Sequence, residues 1–215
     1  MTEKLEFYGF PKVPRLRRPI VVTEKLDGTN AAVVIRDLAD SLFIPHVDEQ
    51  VVDIGVGLYG VRAQSRKRII TPQDDNYGFA RWVWDHAEDL FYLLGEGIHF
   101  GEWWGKGIQR GYDMDTKAFS LFNTARWLDE QPICERFEDE TIINTVPVLG
   151  RYEVFNTSDI EVHVSLLEAF GSVAANGYDR PEGVVIYHKA ANSLFKRLIE
   201  NDDIPKGIEY ALTVP

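Results

Sequence analysis

A lysine at the end of an apolar strand carries the clearest chemical signal in the sequence. The segment 23–30 reads Thr-Glu-Lys-Leu-Asp-Gly-Thr-Asn, so Lys25 is followed at once by a tight polar turn in which Gly28 permits close approach of a ligand. Such a lysine can hold a phosphate as a point charge, or it can be a nucleophile when burial or neighbouring cations deprotonate its amine. An ordinary β-turn with an exposed lysine is an equal alternative at this point.

Further short motifs follow Lys25 along the chain, each with a charged or aromatic residue beside glycines or apolar residues. Taken singly, they also fit ordinary structural features without a functional role: a solvated basic turn, a surface carboxylate at a strand end, a core aromatic ring or a Glu-Gly turn. In chain order they are Ser65–Arg68, which contains Arg66; Phe100–Gly105, which contains Glu102; Phe119–Asn123, which contains Phe122; Glu182–Ile186; and Leu194–Arg197, which contains Lys196.

The run Lys25-Leu26-Asp27-Gly28 resembles the Lys-x-Asp-Gly signature of the covalent nucleotidyltransferases, which include ATP- and NAD-dependent ligases and mRNA capping enzymes. The later motifs resemble the rest of that family's ordered set, and the whole set extends from position 24 to position 197. The extended segment from Glu24 to Asn30 and the Phe-Gly-Glu strand are most similar to phage-type, ATP-dependent RNA ligases, which act on nicked or broken RNA. Asp27 is compatible with DNA ligases and capping enzymes as well.

The resemblance implies a role for each motif residue. Lys25 would attack the α-phosphate of ATP and form lysyl-AMP, while Lys196, Arg66 and Mg²⁺ or Mn²⁺ would lower the lysine's pKa and stabilise the phosphoryl transfer. The implied binding roles are these: Glu24 reads the adenine, Phe122 stacks on it, Glu102 accepts hydrogen bonds from the ribose, Arg66 contacts ribose or phosphate, Asn30 positions the phosphates or a metal-bound water, and Glu182 is the metal ligand. A turn-capping role is the alternative for Asn30.

Two features depart from the family pattern. Its last motif usually offers Lys-x-Lys, whereas Lys196 is the only lysine here, so the second lysine is missing or is replaced by Arg197 or by a lysine from elsewhere. Only 17 residues follow Leu198. We therefore predict a single nucleotidyltransferase domain over residues 1–215, without a C-terminal oligonucleotide-binding barrel or helical domain.

The elements that must position these residues follow from periodicity and turn signals. Helical spacing predicts one helix from Phe79 to Leu94, a second that Thr157 or Ser158 caps and that stops at Gly177, and a short helix around Ala125 to Leu128. Strands rich in β-branched and aromatic residues are predicted at 20–25, 31–36, 61–64, 98–103, 118–122, 183–188 and 193–198. This pattern predicts an α+β fold with antiparallel sheets flanked by helices, as in the ATP-grasp-like nucleotidyltransferase domain of ligases.

Composition limits the classes of function. The 215 residues carry a formal charge of −11, which argues against a protein that coats nucleic acid through a global basic surface. RNA would instead be held locally, by the basic stretches 15–18 and 62–68 and the active-site metal. The single cysteine, Cys134, cannot form an intrachain disulfide, and no apolar run is long enough to cross a bilayer. We therefore expect no membrane partner and a cytoplasmic setting.

The sequence predicts an ATP-dependent RNA ligase that transfers AMP to a 5′-phosphate and seals it to a 3′-hydroxyl, in RNA repair for example. A DNA ligase or a capping-type guanylyltransferase is the alternative within the superfamily. A nucleotide- or RNA-end-binding module without turnover is the alternative outside it. Sealing could also require a partner subunit.

Overall fold

The computed structural model describes residues 8–39 and 48–203, which form two β-sheets and three α-helices. The helices are α1 (Phe79–Asp85), α2 (Ala87–Leu94) and α3 (Thr157–Phe170). The strands are β1 (Ile20–Lys25), β2 (Thr29–Asp37), β3 (Gln50–Asp53), β4 (Leu58–Ser65), β5 (Ile69–Ile70), β6 (Gly97–Gly105), β7 (Lys117–Leu121), β8 (Glu135–Arg136), β9 (Ile142–Thr145), β10 (Val148–Tyr152), β11 (Gly183–His188) and β12 (Ser193–Leu198).

The smaller sheet has four antiparallel strands in the order β10-β1-β11-β12. One of its faces packs against α3, because alternate residues of β1 and β11, such as Val22, Val184 and Ile186, form an apolar cluster with Ile160 and Leu167 of the helix. Because side chains alternate along a strand, Thr23 and Lys25 of β1 lie on the opposite face.

The larger sheet follows the order β3-β4-β2-β6-β7-β9-β8, with β5 paired to β4. All its pairs are antiparallel except β7 with β9. Helices α1 and α2 cover one face, where residues such as Val33, Trp103 and Phe119 join Phe79 and Leu90 in the main core. On the other face, Trp104 and Ala118 join Leu26 and Tyr178 in a separate apolar cluster.

The predicted α+β class is confirmed. Three predicted strands, at 20–25, 183–188 and 193–198, have the bounds of β1, β11 and β12, and the other four overlap β2, β4, β6 and β7. The short strands β3, β5, β8, β9 and β10 were not predicted, since they are brief and carry weak alternation. Among the described residues, no helix is both long enough and apolar enough to cross a membrane.

Both long helix predictions were wrong in part: the first helix is interrupted, and the second has a different cap and end. The first helix is broken at His86, whose backbone angles of φ −114° and ψ 25° are not helical, and whose ring faces Asp89 and Asp139 at 3.7 and 3.6 Å. The second begins after Asn156, which caps it by accepting a hydrogen bond from Ser158 N at 3.1 Å. It ends before Gly171, at φ 83°, rather than at Gly177. The predicted short helix is a π-helical turn, Ala125–Glu130.

Candidate active site

Lys25 lies at the carboxyl end of β1, on the face of the smaller sheet that points away from α3. It stands opposite Gly183 of β11, so the neighbouring Glu182 comes within reach. The amine donates a short hydrogen bond to Glu182 Oε2, and both side chains are largely buried. The structure therefore brings together the predicted nucleophile and the predicted metal ligand, which are 157 residues apart in the chain.

The turn after Lys25 is packed against β6. Gly28 N donates to Glu102 Oε1 at 3.2 Å, and Asp27 N donates to the Tyr112 hydroxyl at 2.9 Å. A Cβ atom at Gly28 would lie 2.7 Å from Trp104 Cβ, so only glycine fits without a backbone shift. Close packing of this turn places the acidic side chain of Glu102 near Lys25, the predicted nucleophile.

Asn30 and Arg66 lie beside Glu102 on the larger sheet. Asn30 of β2 is opposite Glu102 of β6, and Arg66 directly follows Ser65, which pairs with Ala31. Burial raises the pKa of Glu102 to about 7, although the positive charges of Lys25 and Arg66 and the hydrogen bond from Gly28 oppose that rise. Lys25 and Arg66 therefore lie near enough to Glu102 for their charges to act on its carboxyl group.

The raised pKa of Glu102 predicts a pH dependence of stability. Between about pH 4.5 and pH 7 the folded chain holds a proton that the unfolded chain releases, so stability falls as the pH rises through this window and is level above it. The full shift corresponds to roughly 3 kcal/mol. Glu102→Gln should reduce this slope in urea-unfolding free energies measured at several pH values, leaving the part that Glu24 contributes, whereas Glu153→Gln, at an exposed position, should keep the whole slope. A wild-type slope that persists in Glu102→Gln would contradict the assignment.

Phe122 follows β7 on the face that carries Glu102. Its amide donates to Phe100 O at 2.9 Å, which continues the register in which Glu102 is opposite Ser120. Its side chain is 37% exposed. The ring is therefore a surface-accessible aromatic beside the site rather than a core residue, and it is available for stacking.

Glu24 lies on the opposite face of β1 from Lys25, and its carboxylate is bound by the segment that follows α3. Ser172 Oγ donates to one oxygen at 2.6 Å, and the amides of Val173 and Ala174 each donate to the other at 2.9 Å. The side chain is 1% exposed, and burial raises its pKa. These hydrogen bonds join β1 to the segment 172–174, a structural role that the sequence did not indicate.

Lys196 shares the face of Lys25, because it is opposite Val185, which in turn is opposite Thr23. Arg197 points to the other face with Val184, where it donates to both oxygens of Glu161 on α3, at 2.9 and 3.1 Å. Arg197 is therefore not a replacement for the second lysine of the family motif.

The sequence did not indicate that Arg110 holds the turn after Lys25. Arg110 donates from Nε to Asp27 Oδ2 at 3.0 Å and from Nη1 to Arg180 O at 2.8 Å. It thereby connects the turn after Lys25 to the segment that leads into Glu182. An arginine in a loop between two predicted strands carries no local signal of such a partner.

The carboxylates of this site suit a hard divalent cation that takes few protein ligands. Among the described residues, no group of three or more His, Cys, Asp or Glu side chains could hold a metal. The charge of Glu182 helps to raise the pKa of Glu102, so the two side chains lie near each other and offer one or two carboxylates. This suits Mg²⁺ or Mn²⁺, since such ions commonly take one or two protein carboxylates and complete their shell with water and substrate phosphates.

Comparisons with known proteins give a family and a fold. A sequence model of the RNA ligase family matches residues 18–198. A variant of the Naegleria gruberi RNA ligase with ATP and Mn aligns over 85% of this chain and 50% of that one, with 19% identity and a TM-score of 0.52, which shows a shared fold. The same ligase with PPi aligns over 84% and 49%, with 18% identity and a TM-score of 0.49. The chain thus spans about half the length of these structures. No curated protein matches it significantly.

Proposed function

Because the chain belongs to the RNA ligase family, we propose that it is an ATP-dependent RNA ligase whose nucleophile is Lys25. The observation that carries the proposal is the contact between Lys25 and Glu182 at the junction of β1 and β11, with Glu102 and Arg66 close by. This arrangement offers an amine, an acidic metal ligand and cations within one cleft, which are the groups that nucleotidyl transfer to a lysine requires.

The first step would be attack of the Lys25 amine on the α-phosphate of ATP. The new N–P bond forms as the bond from the α-phosphorus to the bridging oxygen breaks, so pyrophosphate leaves and lysyl-AMP remains. The amine must lose its proton before it attacks. Arg66 and Lys196 would stabilise the charge on the phosphoryl oxygens during transfer.

The remaining residues would bind the nucleotide. Glu102 accepts hydrogen bonds from the ribose hydroxyls, Phe122 stacks on the adenine, and Asn30 positions the phosphates. The short contact of Glu182 with Lys25 supports a role at the reacting phosphate. Mg²⁺ or Mn²⁺ held by Glu182 would supply positive charge beside the triphosphate. Glu24 would contribute to the adenine site by holding segment 172–174 rather than through a free carboxylate.

Two further steps complete the proposed reaction. AMP passes from Lys25 to the 5′-phosphate of an RNA end, and a 3′-hydroxyl then attacks that phosphate and releases AMP as the phosphodiester forms. We propose that the chain is one nucleotidyltransferase domain, acts on broken RNA in the cytoplasm, and either seals ends itself or passes adenylylated ends to a partner subunit. A DNA ligase or a capping-type enzyme would use the same first step with another nucleic acid or nucleotide.

Incubation with ATP labelled at the α-phosphate and Mg²⁺ or Mn²⁺ tests the proposal. We expect acid-labile label on the denatured protein, none from ATP labelled at the γ-phosphate, and loss of the label when 5′-phosphorylated RNA is added. Labelling from GTP instead would identify a capping-type enzyme, and consumption of the label only by DNA would identify a DNA ligase. Tight ATP binding without a covalent adduct would contradict a ligase and favour a binding module.

A further inference from the structure

One face of the larger sheet is only partly covered. Helices α1 and α2 pack on the face that carries Val33, Ala63 and Trp103. On the opposite face, the second cluster covers the end of the sheet near Trp104 and Ala118. Beyond Glu102, this face carries large exposed apolar side chains on β6 and β5, whereas Ala32 and Val34 of β2 are buried.

The exposed side chains lie in cross-strand register. Ile69 is opposite Gln64, Gln64 is opposite Ala32, and Ala32 is opposite Phe100, whose carbonyl accepts from Phe122 N. Ile69, Phe100 and Phe122 are 40%, 46% and 37% exposed. Ile98, two residues before Phe100 and on the same face, is 55% exposed. Exposed apolar side chains grouped in this way mark an interaction surface rather than scattered surface residues.

Two arginines of β4 and its end border these side chains. Arg62 is opposite Val34 and therefore shares the face with Gln64. Arg66 follows the end of β4, and its charge acts on Glu102. Arg62 Nε is buried and has no hydrogen-bond partner among the described residues, and its Nη1 is 4.0 Å from Glu49. In a chain with a formal charge of −11, two arginines on the side of the sheet that carries Phe100 are complementary to a phosphate backbone with exposed bases.

We propose that this surface, formed by Arg62, Gln64, Ile69, Ile98 and Phe100, binds an unpaired RNA strand whose end reaches Lys25. The inference rests on the proposed ligase function and specifies its substrate as single-stranded near the reacting end. Sheet faces with exposed aromatic rings stack unpaired bases, and nearby cations track the backbone. Bases of a duplex are already stacked within the helix, so a duplex gains nothing from Phe100. The surface is also continuous with Glu102 and Phe122, so the strand would enter the nucleotide cleft directly.

Binding of a fluorescent, 5′-phosphorylated RNA 12-mer, alone and as the blunt duplex, tests the inference. We expect the wild-type protein to prefer the single strand and Phe100→Ala to weaken that binding roughly tenfold, as loss of one stacked base does. Ile98→Ser provides a second variant at a more exposed position. Arg62→Gln should reduce the slope of log affinity against log salt concentration by about one, because one phosphate contact is lost. Tyr92→Ala, on exposed α2 behind the sheet, should change none of these values.

Labelling by ATP separates this inference from the proposed function. Phe100→Ala and Ile98→Ser should take up label at the wild-type rate, because neither side chain is placed in the nucleotide site. Equal loss of labelling and of RNA binding would assign the surface to the nucleotide pocket and overturn the inference, as would equal affinity for single strand and duplex. Absence of label from the wild-type protein would reject ligase function, while a strand preference that Phe100→Ala abolishes would still support the surface.

Discussion

Lys25→Ala is expected to lower self-labelling from ATP by at least about 10³-fold, as removal of a covalent nucleophile does in other enzymes. The side chain supplies the atom that bonds to the α-phosphorus, and it stands at a strand end that holds it against Glu182. Lys25→Arg should be equally inactive, because a guanidinium keeps the positive charge but stays protonated. The measurement is acid-labile label on the denatured protein after incubation with ATP labelled at the α-phosphate.

The matched control is Lys189→Ala, an exposed lysine that follows β11. It should label as the wild type does, and circular dichroism should show that every variant is folded. Comparable labelling of Lys25→Ala and the wild type would place the nucleophile elsewhere and remove the basis of the proposed mechanism. Label on Lys25→Arg would likewise contradict a nucleophilic amine at this position.

Glu24→Ala is expected to lower the free energy of unfolding by roughly 3 kcal/mol, because three donors would lose a buried acceptor. Those donors are Ser172 Oγ and the amides of Val173 and Ala174. Glu24→Gln should lose less stability, since its amide oxygen can still accept a hydrogen bond. Its NH₂ group cannot accept and would face the remaining donors. Urea unfolding monitored by tryptophan fluorescence measures both, with exposed Glu153→Ala as the control.

The same variants separate two roles for Glu24. If the carboxylate mainly holds segment 172–174, labelling should fall in parallel with stability and the preference for ATP over GTP should be retained. If it mainly reads adenine, Glu24→Gln would keep its stability and change the choice of nucleotide. That second outcome would contradict the structural role.

Much of the fold was predictable because its signals are local. β1, β11 and β12 alternate or run apolar between turn residues, and the pattern gave their bounds. The helix breaks were not predictable in this way. His86 keeps the apolar spacing of one continuous helix but takes a non-helical conformation beside Asp139, a partner more than fifty residues away. Short strands such as β8 are defined by their neighbours in the sheet rather than by their own residues.

The candidate site was predictable as a set of residue types but not as a set of partners. The resemblance indicated Lys25 and Glu182, but nothing local says that they touch. The hydrogen bonds of Glu24 to segment 172–174 and of Arg110 to Asp27 join distant parts of the chain, and no periodic pattern in the sequence indicates them. Arg197 is different. Its strand was predicted, and alternation of side chains along a strand already places adjacent Lys196 and Arg197 on opposite faces.

The central position of β1 in the smaller sheet has a consequence for synthesis of the chain on the ribosome. β1 emerges early, but both of its partners, β10 and β11, come from the last third of the sequence. At typical translation rates, the 157 residues between Lys25 and Glu182 take on the order of ten seconds to appear. During that interval the apolar residues of β1 have no sheet to join, so nascent chains should depend on chaperones, and fragments that stop before β11 should aggregate rather than fold.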